Sequence, residues 1–178
     1  DGFAGGDRTH LKLPKTQLEL IKAVKATGKP VVLVLLNGSA LAVNWENENV
    51  DAIISAGYPG QEGGNAVADV LLGDYNPAGR LPVTYYKSVE QLPPFEEYDM
   101  KGRTYRYFDG EPLYPFGYGL SYTTFSYSGL KLAKKAKIGE SVTLKVNVTN
   151  TGTMAGEEVV QLYLKDEEAS TPRPKVQL

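Results

Sequence analysis

The apolar residues of this chain follow two different spacings, and each spacing requires a different kind of sheet. Residues 31–36 form an unbroken aliphatic run, which is typical of a strand covered on both faces in a parallel sheet. Between residues 142 and 148 every second residue is apolar, which is typical of a half-buried antiparallel strand. The sequence therefore predicts two structural units, an α/β layer followed by an all-β unit.

Further elements complete the predicted α/β layer. Apolar residues recur at helical spacing between Pro14 and Gly28, so we expect a helix that begins near Pro14 and ends at Gly28. A second short strand is predicted at residues 52–56, and a second helix over residues 67–71 stops at Gly73. The resulting order of helix, strand, strand and helix favours an α/β architecture.

The predicted all-β unit follows a segment with no sustained periodicity. Residues 93–122 are crowded with Tyr, Phe, Gly and Pro, and we expect an ordered connector packed against a neighbouring domain because aromatic side chains bury a large area. From about residue 125 the pattern is that of a β-sandwich, with a further alternating strand at residues 160–165. Only about three strands fit before Leu178, whereas a sandwich needs about seven, so we expect the polypeptide to continue.

Composition excludes several classes of function. The chain has 19 basic and 21 acidic residues and no basic run, so no nucleic-acid partner is predicted. The longest apolar run, residues 31–36, is far shorter than the roughly 20 residues of a membrane helix, so no membrane contact is predicted. Without cysteine there is no disulfide scaffold, thiolate nucleophile or cysteine zinc site. The glycine-rich loop at residues 57–64 matches neither phosphate-binding fingerprint and is interpreted as a tight turn.

Few residues are candidates for catalysis or metal binding. His10 is the single histidine and no GxSxG elbow is present, so we interpret His10 as a surface residue. The Asp7-Arg8 pair is either a site pair or a buried ion pair, and the structural role is favoured. The acidic residues 166–168 are more typical of a solvated turn than of a cation site, and neither a metal nor a cofactor is predicted.

The substrate-side candidates are Tyr58 and Arg103. Both are chosen on residue type and loop position, because aromatic faces and guanidinium forks suit hydroxyl-rich rings. Arg103 belongs to a group with Tyr105, Arg106, Tyr107 and Phe108 that either lines a sugar subsite or packs between domains. The residues leave both alternatives open.

Five segments, read in order, resemble the C-terminal region of glycoside hydrolase family 3. They are residues 7–14 (DRTHLKLP), 28–32 (GKPVV), 57–64 (GYPGQEGG), 72–84 (LGDYNPAGRLPVT) and 112–122 (PLYPFGYGLSY). The tail, with residues 150–152 (NTG) and 156–163 (GEEVVQLY), is similar to the fibronectin type III-like domain that ends many members. The resemblance covers residues from about 7 to 178.

The resemblance implies a retaining β-glycosidase of three parts. An upstream (β/α) barrel would carry the aspartate nucleophile, an α/β sandwich domain the glutamate acid/base, and a fibronectin type III-like β-sandwich would follow. Residues 1–88 would then be the C-terminal part of the α/β sandwich domain, 89–124 an aromatic-rich connector, and 125–178 the start of an incomplete fibronectin type III-like domain.

The chain departs from the family pattern where the acid/base is expected. Many members place the glutamate a few residues before the Asp-Arg pair, but here residues 2–6 read GFAGG. Either the glutamate lies further upstream or this loop is reorganised. Neither Asp1 nor Asp7 is promoted to fill the position, and no catalytic residue is assigned.

The function implied is hydrolysis of terminal β-D-glucosides or β-D-xylosides by the intact protein, with this chain inactive alone. Its partners would be an oligosaccharide or aryl-glycoside substrate and the upstream barrel of the same polypeptide. A periplasmic or secreted location is predicted, with any export signal upstream of Asp1. The alternative is a non-catalytic carbohydrate-binding or structural module, and the choice between glucose and xylose stays open.

Overall fold

The structure of the protein is a computed structural model that describes residues 9–137 and 139–178. Its first part contains helix α1 (Lys15–Lys25), strand β1 (Val32–Leu35), helix α2 (Asn44–Asn49), strand β2 (Ala52–Ser55) and helix α3 (Gly63–Leu72). Both predicted strands and both predicted helices are confirmed to within a few residues. No helix in the described part of the chain is long and apolar enough to cross a membrane.

Strands β1 and β2 pair in parallel, with Val32 opposite Ala52 and Leu35 opposite Ser55. A parallel pair needs a crossover connection, and α2 forms part of it. The predicted order of helix, strand, strand and helix was therefore wrong in omitting α2. This helix has only six residues, Asn-Trp-Glu-Asn-Glu-Asn, and such a polar stretch carries no amphipathic signal.

The small core of this α/β part lies around the crossover. Val43 is completely buried, and Leu35 and Leu41 pack beside it. Leu33 and Ile53 from the two strands contact this cluster from one side. Residues of the later connector, Leu113 and Tyr114, also pack against the cluster. The core therefore includes residues from the connector as well as from the sheet.

The connector is irregular, as the sequence predicts, and several of its aromatic rings pack against other rings. It contains a 3₁₀ turn (Val89–Gln91) and a four-residue helix α4 (Thr104–Tyr107). Tyr85 and Tyr114 form an antiparallel bridge, with their ring centroids 6.0 Å apart. Tyr86, which is buried, meets the ring of Phe108 edge-on at 5.0 Å. These contacts hold the connector against the segment that follows α3.

The last part contains the antiparallel pair β3 (Phe125–Leu132) and β4 (Leu144–Asn150). The predicted alternating strand is confirmed as β4. The register shifts between Ser128 and Lys131, where Gly129 adopts a φ of 64° that favours glycine.

The second predicted β-strand of the tail, at residues 160–165, was wrong. Within residues 139–178 this segment makes only an isolated bridge, between Leu164 and Gln177. Instead of joining a neighbouring strand, Gln161 donates from Nε2 to the carbonyl of Gly117 at 2.9 Å, and Tyr163 packs edge-on against Tyr105. Alternation predicts which residues face inward, but a strand also needs a hydrogen-bonding partner, and here the tail packs on the connector.

A polar joint connects the α/β part to the β3–β4 part. Asn76, which is 7% exposed, accepts hydrogen bonds at Oδ1 from the Ser121 hydroxyl and the Tyr122 amide, both at 2.8 Å. Its Nδ2 donates to the carbonyl of Ala155 at 3.0 Å. Nearby, Arg80 and Glu158 form a 2.8 Å ion pair whose side chains are 12% and 18% exposed. Because these groups are largely removed from water, their hydrogen bonds and ion pair hold the β3–β4 part in place against the α/β part.

Candidate functional site

The loops after β1 and β2 lie at the edge of the sheet where α/β proteins usually bind ligands. Both strands are parallel, so their carboxyl ends reach the same edge. Residues 36–43 follow β1 and residues 56–62 follow β2. These two loops therefore form the first candidate site.

Tyr58 lies in the second of these loops and presents most of its ring to solvent, with 82% of the residue exposed. Gly57 and Gly60 flank it with φ values of 60° and 70°, which permit the sharp turn into α3. The ring lies directly over Gly38, where an added Cβ would be only 2.5 Å from Tyr58 Cε2. Because position 38 has no side chain, the two loops can approach each other closely.

A polar cluster lies beneath this pair of loops. The hydroxyl of buried Tyr85 is 3.4 Å from both Asn37 Nδ2 and Ser55 Oγ. Asn37 Nδ2 also donates to the carbonyl of Ser39 at 2.7 Å, whereas Asn37 Oδ1 is buried without a hydrogen-bond partner. A buried acceptor left unpaired is unfavourable, which marks Asn37 as an unusual residue of this polar cluster. Sequence reasoning missed Asn37, for which the only signal was its position directly after a strand.

Arg103 precedes α4, and its guanidinium holds the preceding loop in place. It donates from Nε to the carbonyl of Asp99 at 3.2 Å, and from Nη2 to the carbonyls of Pro94 at 3.0 Å and Glu97 at 2.5 Å. The observed contacts of Arg103 are therefore structural. Its predicted contact with substrate remains a prediction.

The neighbouring residues of α4 pack against the C-terminal segment. Tyr105 stacks on Phe116 at 4.4 Å, and its hydroxyl accepts from the amide of Leu178 at 3.3 Å. Hydrogen bonding from the Arg106 guanidinium, supplemented by the Leu178 amide, lowers the pKa of Tyr105. Lys175 reaches back to the carbonyl of Phe108 at 2.8 Å. Of the two alternatives for this group, the contacts favour packing.

The structure does not join the two substrate-side candidates directly. Tyr58 belongs to the sheet edge and Arg103 to the connector, and no hydrogen bond or ring contact links these two described residues. If both residues bind substrate, as predicted, then either one ligand is large enough to reach both, or each residue contacts substrate separately.

His10 lines a shallow cavity of about 240 Å³ with residues that include Lys12, Ser88 and Glu90. A hydrogen bond from Ser88 holds the pKa of Glu90 below its usual value. His10 itself is exposed, as predicted for a surface histidine. Asp7-Arg8 lies outside the described residues.

One acidic side chain is buried within the described ranges, Glu46 of α2, at 3% exposure. It lies near Tyr114, whose pKa is raised chiefly by burial and further by the charges of Tyr118 and Glu46. Residues 9–137 and 139–178 contain no group of three or more His, Cys, Asp or Glu that could hold a metal ion. The acidic residues 166–168 are exposed, and Glu167 pairs with Lys165 at 2.9 Å.

Comparison with known sequences identifies close relatives over almost the whole chain. Over 166 residues the chain is 57% identical to a xylan 1,4-beta-xylosidase of Xylanibacter ruminicola, covering 93% of the chain and 19% of the relative. Over 184 residues it is 49% identical to a periplasmic beta-glucosidase of Salmonella typhimurium, covering 96% of the chain and 24% of the relative. The chain thus spans about a fifth to a quarter of the length of these relatives.

Solved structures give the same result. A β-glucosidase from Erythrobacter marinus matches with a TM-score of 0.83 and 46% identity, over 98% of this chain and 24% of that one. A β-glucosidase from Listeria innocua in complex with isofagomine matches with a TM-score of 0.84 and 37% identity, over 97% and 26%. The family model described as the glycosyl hydrolase family 3 C-terminal domain matches residues 2–122. The chain therefore belongs to glycosyl hydrolase family 3.

Proposed function

We propose that this chain is part of a longer glycoside hydrolase that removes terminal β-D-glucosyl or β-D-xylosyl units from carbohydrates. The observation that carries the proposal is the high identity, over nearly the whole chain, to relatives named for β-xylosidase and β-glucosidase activity. Because relatives of both names match, the sugar preference of this protein is left to experiment.

The solvent-accessible surface supports the proposal that the rest of the polypeptide covers this chain. The surface measures 13,071 Å², whereas a compact monomer of 19.4 kDa exposes about 8,500 Å². Leu20 on α1, Leu72 on α3 and Leu36 after β1 are each exposed by 64% or more. Such apolar surface normally packs against another part of the protein. The faces of a parallel sheet are normally covered by helices, whereas β1 and β2 both contain exposed residues.

We assign three segments to the proposed architecture. Residues 1–88 belong to the α/β sandwich domain, 89–124 form the aromatic connector, and 125–178 begin a fibronectin type III-like domain. The antiparallel pairing of β3 with β4 supports the last assignment, since such domains consist of antiparallel sheets. A complete sandwich of this kind has about seven strands, so β3 and β4 are only part of one.

Catalysis is proposed to follow the retaining course and to need both this chain and an upstream barrel. Retention uses two carboxyl groups about 5 to 5.5 Å apart, one as the nucleophile and the other as the acid and then the base. The buried Glu46 is a single carboxyl group and does not make such a pair. We therefore assign no catalytic residue to this chain, and we propose that it is inactive on its own.

On the substrate side, we propose that Tyr58 contacts a sugar ring. Its exposed face and its fixed position over Gly38 support this role, because a ring held in place loses little freedom on binding. Arg103 remains a substrate-side candidate, but its proposed role is indirect, through the loop that its guanidinium holds in place. A periplasmic or secreted location is proposed for the whole protein, supported by the relative named as periplasmic.

The proposal is tested on the full-length polypeptide that contains this chain. Hydrolysis of p-nitrophenyl β-D-xyloside and β-D-glucoside is measured beside the two α-anomers, and ¹H NMR identifies the anomer first released. Cleavage of a β-glycoside with initial release of the β-sugar is expected. Release of the α-sugar would contradict retention, and binding of glycans without any hydrolysis would favour the non-catalytic module.

A further inference from the structure

An exposed loop of the connector presents aromatic residues to solvent. We call residues 93–102 the aromatic loop. Tyr98 is 87% exposed and Met100 is 47% exposed. Neither β-strand nor long helix shapes this loop, since it lies between the 3₁₀ turn and α4. Single exposed apolar residues are common on protein surfaces, so the exposure of Tyr98 points to a binding surface only together with the fixed shape of the loop.

The aromatic loop is nevertheless held in one shape from within. Arg103 donates to three of its carbonyl groups, those of Pro94, Glu97 and Asp99. Its last residue, Gly102, adopts a φ of 73° and packs closely against Pro93.

The residue after Arg103 adds a strained conformation to this arrangement. Thr104 has a φ of 54°, which is unfavourable for a β-branched residue. Its amide donates to the hydroxyl of the buried Tyr86 at 2.8 Å, which holds it there. The loop is thus fixed at considerable conformational cost although it buries little apolar surface. Preorganised binding surfaces have a fixed shape of this kind without being buried. Because the loop is already ordered, a ligand that binds it causes no further loss of conformational entropy there.

The charges of the aromatic loop favour a carbohydrate over a protein as the occupant. Glu96, Glu97, Asp99 and Lys101 lie within three residues of Tyr98 in the sequence, and all four are exposed. Protein interfaces are depleted of charged residues at their centre, so this composition does not fit a buried protein contact. A sugar ring has an apolar C–H face that suits an aromatic ring and hydroxyl groups that donate to carboxylates.

We propose that the aromatic loop is a binding surface for β-linked oligosaccharides, with the ring of Tyr98 stacking on a sugar unit. Arg103 is then a positioning residue, which sets the loop without needing to touch the sugar. The inference rests on the proposed function for its ligand class, but it concerns binding and is measured separately from hydrolysis.

The test uses the full-length polypeptide and two non-hydrolysable probes, thio-linked xylotetraose and thio-linked cellotetraose. Calorimetry gives the Kd for wild type, Tyr98→Ala, Tyr98→Trp and the control Tyr75→Ala, which removes an exposed tyrosine from the turn after α3. Loss of stacking is expected to raise the Kd about tenfold in Tyr98→Ala. Tyr98→Trp retains the affinity, and the control matches wild type.

The role of Arg103 is tested through its coupling to Tyr98. Arg103→Lys keeps the charge but cannot reach three carbonyls at once, so it is expected to raise the Kd in the wild-type background. The same change in the Tyr98→Ala background has little further effect if Arg103 acts only by placing Tyr98. Equal losses in both backgrounds would overturn the positioning role.

Failure of the binding proposal is distinguishable from failure of the proposed function. If aryl glycosides are hydrolysed but the Kd for both tetraosides is the same in Tyr98→Ala and wild type, the binding surface is wrong and the enzyme assignment stands. If no glycoside is hydrolysed but tetraoside binding depends on Tyr98, the binding proposal stands and the proposed enzymatic function is wrong. Maleimide labelling of Tyr98→Cys completes the test. Labelling that tetraoside slows supports the proposal, whereas protection without ligand shows that protein covers the loop and overturns it.

Discussion

Removal of the Asn76 side chain should loosen the joint between the α/β part and the β3–β4 part. Asn76→Ala leaves the Tyr122 amide, the Ser121 hydroxyl and the Ala155 carbonyl without their partner at a site where Asn76 is 7% exposed. Each buried group left unpaired costs about 1–3 kcal/mol, and relaxation around the smaller residue recovers part of that cost. We expect a loss of about 3 kcal/mol in the free energy of local opening.

Hydrogen exchange measured by mass spectrometry on the full-length polypeptide reports this opening directly. A loss of about 3 kcal/mol corresponds to exchange that is faster by roughly two orders of magnitude in peptides spanning Tyr122 and Thr151. Asn65→Ala is the matched control, because Asn65 is exposed and its side chain donates a local hydrogen bond to Glu62, three residues away. Exchange in Asn76→Ala that stays within twofold of this control would refute the reasoning.

Three further predictions concern the same full-length polypeptide. Arg80→Ala should destabilise it by about 2 kcal/mol, and a double-mutant cycle with Glu158→Ala should show coupling of at least about 1 kcal/mol; additive losses would contradict the ion pair. Thr104→Gly should raise the free energy of local opening at α4 by about 1 kcal/mol and so slow exchange there about fivefold, because glycine accepts the φ of 54° without strain. The 3.3 Å bond from the Arg106 amide to the Thr104 hydroxyl, which is lost, is long and weak, and faster exchange would contradict the prediction. Hydrogen bonds from Lys25 and the Val31 amide lower the pKa of Asp51, so its stabilisation is present above the unfolded pKa of about 4 and disappears as the pH falls through the folded value. The difference in denaturation midpoint between wild type and Asp51→Asn should therefore shrink between pH 7 and pH 3, and a constant difference would contradict it.

The sequence correctly predicted the elements whose own residues determine their secondary structure. The aliphatic run at residues 31–36 contains β1, and its unbroken apolar sequence predicted a strand of a parallel sheet, which agrees with the pairing with β2. Gly73 ends α3 with a φ of 83°, as expected for a glycine directly after a helix. The alternation that predicted β4 likewise needs no knowledge of distant contacts.

The features that the sequence did not predict depend on partners far along the chain. Helix α2 is polar, and it is recognisable only once two parallel strands are known to need a crossover. Residues 160–165 alternate as a strand does, but Gln161 donates a hydrogen bond to the connector and Tyr163 packs against one of its rings instead. Arg103 was chosen for its guanidinium, yet which groups that guanidinium meets depends on how residues 94–99 fold around it.

The assay that tests the central claim most directly compares two polypeptides, the 178-residue chain and the full-length protein that contains it. Both are assayed at equal concentration on p-nitrophenyl β-D-xyloside and β-D-glucoside. We expect turnover by the full-length protein only, because the paired carboxyl groups that the proposed retaining mechanism needs are not assigned to this chain. Turnover by the 178-residue chain itself would show that its own carboxyl groups perform the chemistry and would contradict the account.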